Sequence, residues 1–298
     1  MSRGAATAVG FSAVLMWALL APLTVLSAPV PPLLLNALCF CIGGTAALTW
    51  LGMRGGLAVL RDVPLTVYLF GTMGLLGYHL LYFSALRLAP PAEAGLIAYL
   101  WPLLIVLGSG LMPGERLRAG HVLGASCGFA GAALLIAGGA AAPSGAGTGY
   151  LLALLAAFTW AGYSLISRRL GHVPTAAVAI FCLASAALSG LAHWLFEAPA
   201  WPDTARGWAA VVALGLGPVG LSFLTWDIGV KRGNIQLLGT MAYAAPLLST
   251  LVLVASGLAP ASGALAVAAA LITGGAVLAA RAGRAVPAAP VRRSPPGG

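Results

Sequence analysis

The sequence predicts an all-α integral membrane protein of ten transmembrane helices, built as two inverted five-helix repeats with both termini cytoplasmic. Three observations carry this. Only 7% of the 298 residues are charged, and the mean hydropathy is +0.99. An ordinary soluble domain has roughly 25% charged residues, whereas lipid-facing surfaces are apolar. The apolar stretches are each about 20 residues long, the length a helix needs to cross the hydrocarbon. The bases alternate from loop to loop, and the two halves of the chain carry the same aromatic and proline landmarks.

In chain order the predicted spans are 5–26, 30–52, 64–86, 91–112, 119–140, 150–167, 174–196, 207–229, 234–257 and 261–281. Short connections rich in Pro, Gly or charge separate them, such as Ser27-Ala28-Pro29, Arg54-Gly55-Gly56, Arg61-Asp62 and Pro113-Gly114-Glu115-Arg116. The tail from Arg284 is rich in Pro and Arg and reads as disordered. The domains are therefore 1–142, 149–281 and a basic tail 284–298. With the N-terminus inside, thirteen of the fifteen bases face the cytoplasm, and only Arg87 and Arg206 fall outside. That is a strong positive-inside bias. The N-terminus also resembles a signal peptide, but the apolar run is long enough to span and no small-x-small cleavage site closes it.

Composition excludes other classes. Cys39, Cys41, Cys127 and Cys182 all sit inside apolar runs, which suits neither a disulfide framework nor a metal site. The net charge of +9 is scattered in ones and twos, so it reports topology rather than a nucleic-acid face. The sequence lacks a Walker loop, a His-Glu-x-x-His zinc motif, a Gly-x-Ser-Gly pattern and a pair of mid-membrane aspartates. An enzyme, a cofactor and a bound metal are therefore not expected. A receptor or scaffold would need more surface outside the bilayer than loops of a few residues supply.

The repeat is read by placing Pro102 over Pro246 without gaps. Tyr99 then meets Tyr243, Gly95 meets Gly239, Ala98 meets Ala242, Arg87 meets Lys231 and Gly71 meets Gly215. A shift of one residue pairs Trp17 with Trp160. Five helices per copy is an odd number, so the second copy enters the membrane from the opposite side, as in many secondary transporters.

Ala98 to Leu104 (with its Tyr-Leu-Trp-Pro core), Gly114-Glu115-Arg116-Leu117, Gly124 to Leu135 and Leu155 to Tyr163 resemble the drug/metabolite transporter superfamily, in its EamA-type ten-helix branch. With the aromatic third span Tyr78 to Leu86, the chain is most similar to the YddG-type aromatic amino acid exporters. The resemblance covers nearly the whole chain to about Arg281. It implies a multi-pass protein of the bacterial inner membrane that exports amino acids, with a multidrug or metabolite carrier as the alternative. One departure stands out. The counterpart of Glu115 after the ninth span is absent, since that stretch reads Gly257-Leu258-Ala259-Pro260. This weakens any role for a symmetric acidic pair.

Aromatics in membrane helices normally gather at the two interfaces, but several here fall near mid-span. Trp17, Tyr78, His79, Tyr82, Tyr99, Trp101, Trp160 and Tyr163 are the candidates to line a central cavity, with Ser164 and Tyr243 as weaker ones. Trp160, Tyr163, Ser164 and Ser167 form one helical stripe. Their hydroxyls would lose hydrogen bonds against lipid. Aromatic walls suit a flat side chain and attract an ammonium group, so the expected partner is an amino acid or similar zwitterion within the bilayer. His79 and the hydroxyls would bind its carboxylate. Pro102 and Pro246 are expected to bend their helices, with a role in gating. Glu93 and Asp227 read as terminal ion pairs, the first with Arg87 and the second beside Lys231 and Arg232. The oligomeric state is not legible in the sequence.

Overall fold

The computed structural model describes residues 1–89, 91–136, 146–255 and 263–284. Among them the secondary structure is helical throughout. The helices are α1 (Arg3–Trp17), α2 (Leu20–Leu26), α3 (Pro32–Met53), α4 (Leu65–Leu88), α5 (Pro91–Ala98), α6 (Trp101–Ser109) and α7 (Ala119–Ile136). They continue as α8 (Gly147–Arg169), α9 (Ala177–Phe196), α10 (Ala205–Leu216), α11 (Ser222–Arg232), α12 (Ile235–Met241), α13 (Ala244–Ala255) and α14 (Gly263–Arg284). Seven helical segments are long and apolar enough to cross a membrane: 3–26, 32–53, 65–88, 147–169, 177–196, 205–232 and 263–282. The basic tail lies outside the described residues except for Arg284, which ends α14.

Among the described residues helices lie along the predicted spans, but four of these stretches are not continuous as expected. The first breaks at Ala18–Leu19, the fourth at Tyr99–Leu100 and the ninth at Ala242–Tyr243. The eighth holds a π-helical turn over Gly217–Leu221 between α10 and α11. Proline explains each. It has no N–H to donate to the carbonyl four residues back, and its ring collides with that carbonyl. Counting four back from Pro22, Pro102 and Pro246 gives Ala18, Ala98 and Ala242, the places where the helices part. Pro218 instead sits inside the wider π turn. The bends expected at Pro102 and Pro246 are therefore present as breaks. Pro22 carries the same signal in the first span.

The two halves pack across one another. α1 lies along α11, α3 along α9 and α10, α4 along α8, and α7 along α14. The crossing of α3 with the π turn is very tight. A Cβ on Gly43 would stand 2.4 Å from the Gly220 Cα and 2.6 Å from the Gly215 carbonyl oxygen. Both contacts are with backbone, which cannot swing aside. Gly43→Leu should therefore overpack this crossing by about 1–3 kcal/mol or more. The expected outcome is a lowered thermal midpoint of the detergent-purified protein, while a lipid-facing control such as Leu69→Ala stays near the parent.

Candidate functional site

A cavity of about 370 Å³ lies where the broken helices meet. Its size falls within the range of about 300–1,000 Å³ typical of small-molecule sites. The lining includes Trp17, Tyr78, His79, Tyr82, Tyr99, Trp101 and Trp160, so the structure gathers seven of the sequence-predicted residues around one space. Lining residues from other helices complete the wall, among them Asn36, Phe83 and Phe223. Among the described residues, none that lines it is Asp, Glu, Lys or Arg.

The floor is a cluster of indoles. Trp17 is its hub, with ring centroids 6.0 Å from Trp101, 5.9 Å from Trp160 and 5.1 Å from Trp226. Trp17 and Trp160, the residues paired by the repeat, touch each other edge to face. The hub is also hydrogen-bonded. In the π turn the Ser222 N–H reaches the Gly217 carbonyl, which frees the Pro218 carbonyl. The Trp17 Nε1–H donates to that carbonyl at 3.1 Å, and the Ser222 hydroxyl donates to it at 2.5 Å. One bond thus ties the end of α1 to a break in α10–α11. On the side wall Tyr78 and Tyr82, one turn apart on α4, lie with their rings nearly parallel at 5.8 Å. His79 stands among Phe40, Tyr78, Phe83 and Phe223, all within 6.1 Å between centroids. Its Nδ1 lies 2.7 Å from the Leu75 carbonyl oxygen.

Three predicted residues do not line the cavity. Tyr163 stacks behind Trp160 at 5.3 Å and on Phe70 at 5.6 Å, so it backs the wall. Ser164 accepts a hydrogen bond from the Trp226 Nε1–H at 3.1 Å. Tyr243 is fully buried, and its hydroxyl accepts the Leu103 backbone N–H at 3.0 Å. The break before Pro102 leaves that N–H without its helical carbonyl, so Tyr243 caps α6. Its repeat-mate Tyr99 faces the cavity. Sequence reasoning missed Phe223, Trp226 and Asn36. Asn36 offered a signal: it is a polar side chain in mid-span, where hydrocarbon contact is costly. It donates through Nδ2 to the Ser189 hydroxyl at 2.8 Å.

The charged residues gather at the two ends. Glu115 follows Gly114, whose φ of +78° turns the chain after α6. Its carboxylate receives Arg3 at 2.9 Å and is also paired with Arg168, which reaches the Val230 carbonyl at 2.7 Å. Asp227 pairs with Lys231 at 2.8 Å and accepts the Thr175 hydroxyl at 2.6 Å, in line with its reading as a terminal ion pair. At the opposite end Glu197 pairs with Arg87 at 2.8 Å and with His193 at 3.1 Å. Glu197 also accepts the Leu33 and Leu34 N–H groups that open α3. The expected partner of Arg87 was Glu93, whose side chain lies outside the described residues; the carboxylate that reaches it is Glu197.

A multi-pass helical bundle with an uncharged, aromatic-walled cavity at the crossing of its two halves has the architecture of a membrane transporter. The chain belongs to the EamA-like transporter family, whose pattern matches it twice, at residues 5–137 and 147–281. It is a transporter and not an enzyme. It is 56% identical to the aromatic amino acid exporter YddG of Ancylobacter novellus, over 94% of this chain and 98% of that one. It is 23% identical to the aromatic amino acid exporter YddG of Salmonella typhimurium, over 84% and 88% of the two chains. A solved crystal structure of a protein 56% identical to it superposes with a TM-score of 0.90, covering 95% of this chain and 100% of the other.

The two repeat-related tyrosines separate packing from lining. Tyr243→Phe leaves the Leu103 N–H unsatisfied, so it should cost about 1–3 kcal/mol of stability and leave ligand affinity near the parent. Tyr99→Phe should do the reverse. Thermal unfolding and ligand binding measured on the same two purified variants check both halves of this expectation.

Proposed function

We propose that this chain exports amino acids, aromatic and other neutral ones, across the bacterial inner membrane by alternating access. The observation that carries the reading is the cavity itself. Its wall is built largely from indole and phenol rings and, among the described residues, has no formal charge in its lining. Rings stack on an aromatic side chain, and ring faces attract an ammonium group. A substrate with net charge would lose its hydration there without a counter-ion. The 56% identical relative, an aromatic amino acid exporter, points the same way.

In this reading the chain crosses the membrane ten times, as inverted repeats 1–142 and 149–281 with both termini and the basic tail 284–298 inside. The ion pairs support that topology. Glu115, Arg3 and Arg168 all belong to ends that the base count assigns to the cytoplasm, and Arg87 and Glu197 to ends assigned outside. The cavity reaches the exposed Thr24 and Pro32 at the outer end, while the indole floor and the Glu115 cluster close the inner end. The present conformation is then outward-open, and transport requires the Glu115 cluster to part. Pro102 and Pro246, next to the breaks in the fourth and ninth spans, serve as hinges. The substrate is held by Trp17, Tyr78, His79, Tyr82, Tyr99, Trp101 and Trp160, with Tyr163, Ser164 and Tyr243 supporting the wall. The bilayer is the only other partner the reading requires, and nucleic acid has no place in it.

Counterflow in proteoliposomes tests the function. Vesicles loaded with phenylalanine should accumulate labelled phenylalanine and tryptophan but neither glutamate nor lysine. Absence of exchange with every neutral amino acid would overturn the proposal. Cysteine labelling tests the topology in a chain whose four native cysteines are replaced. An impermeant maleimide should label Asp203→Cys on intact cells and leave Arg54→Cys unlabelled until the cells are opened.

A further inference from the structure

We infer that His79 receives the substrate's amino group on Nε2, while the hydroxyls of Tyr78, Tyr82 and Tyr99 receive its carboxylate. This rests on the proposed amino acid reading and fixes the direction in which the substrate lies. It also reverses the expectation that His79 binds the carboxylate.

The argument begins with one hydrogen bond. The Leu75 carbonyl oxygen, 2.7 Å from His79 Nδ1, can only accept. Nδ1 therefore carries a proton. In a neutral imidazole one nitrogen donates and the other accepts, so Nε2 holds a bare lone pair. His79 lines the cavity, and Nδ1 is occupied by its own helix, which leaves Nε2 for the ligand. A lone pair repels a carboxylate and attracts an ammonium N–H. The surroundings agree. Phe40, Phe83, Phe223 and Tyr78 ring His79 at centroid distances of 5.2–6.1 Å, and among the described residues none that lines the cavity brings a cation that would favour an anion here. Aromatic faces beside an acceptor are a site for an alkylammonium group.

The carboxylate needs donors. The Trp17 N–H is held by Pro218 and Ser222, and one of the two Asn36 Nδ2 hydrogens is held by Ser189. Tyr78, Tyr82 and Tyr99 all line the cavity, and the Tyr78 and Tyr82 rings lie nearly parallel at 5.8 Å. Three phenol O–H donors lining one cavity suit a carboxylate, because each O–H can turn toward it. The site then holds a zwitterion without a fixed charge of either sign.

Competition against labelled phenylalanine on the purified protein tests the assignment, with 2-phenylethylamine (no carboxylate) and 3-phenylpropionate (no amine) as competitors. His79→Ala should weaken the amine by about tenfold or more, the range of one charge-assisted hydrogen bond, and leave the acid nearly unchanged. The double variant Tyr82→Phe, Tyr99→Phe should weaken the acid and spare the amine. The ratio of the two competitors within one variant does not depend on the fraction folded, so a partly unfolded preparation still decides. If the parent binds phenylalanine and His79→Ala selectively loses the acid, or loses both competitors equally, the inference falls and the amino acid reading survives. If the parent binds none of the three compounds, both fall together.

Discussion

The Pro218 carbonyl is the group on which the arrangement of the cavity floor depends. A backbone carbonyl freed inside a membrane bundle has no water to bond, and leaving it bare costs several kcal/mol. Pro218 sits in a π turn that removes its helical partner, and the Ser222 hydroxyl and, from the far half of the chain, the Trp17 indole N–H supply the replacement. The bond sets the position of Trp17, and Trp17 in turn sets the edges of Trp101, Trp160 and Trp226 around it. A helix irregularity, a cross-half hydrogen bond and the shape of a site are thus one feature. Irregular backbone at membrane depth is tolerated where protein surrounds it or where it lines a cavity, and here both hold.

The same logic applies to the break in the fourth span. Pro102 parts α5 from α6 and exposes the Leu103 N–H, which the Tyr243 hydroxyl satisfies. The repeat-mate Tyr99 has no such duty and faces the cavity. A repeat in sequence therefore yields two different roles, because a single site shared by two half-chains needs each position once on its wall. The mates Trp17 and Trp160 meet in the middle and touch.

The two ends differ in how they are held. Glu115 is almost wholly buried, with its side chain 6% exposed, and two arginines share it. Arg3 is 55% exposed, so solvent screens its contribution. Arg168 is only 18% exposed and is also bound to backbone carbonyls, which makes it the stronger arm. After the ninth span the sequence has no counterpart of Glu115, and a different carboxylate serves the other end. There Glu197 anchors Arg87, His193 and the first turn of α3. In the proposed cycle the inner cluster must part before the substrate leaves.

Much of this was legible in the chain itself. Hydrophobic runs of membrane length, scarce charge and alternating bases determined a helical, multi-pass protein, because the bilayer imposes one length and one polarity on every crossing. Mid-span Trp, Tyr and His pointed to the cavity for the same reason, since polar rings are misplaced against lipid. Pro22, Pro102, Pro218 and Pro246 marked the breaks, although only the structure distinguished a parted helix from a π turn. Tertiary structure alone decided which aromatics face the space and which back the wall. Tyr163 and Tyr99 look alike in sequence, but one is stacked behind Trp160 and the other lines the void. It also decided that Arg87 is reached by Glu197, 110 residues away. Lateral packing chose these outcomes: hydropathy fixes the depth of a residue in the bilayer, while the facing of each helix depends on neighbours distant along the chain.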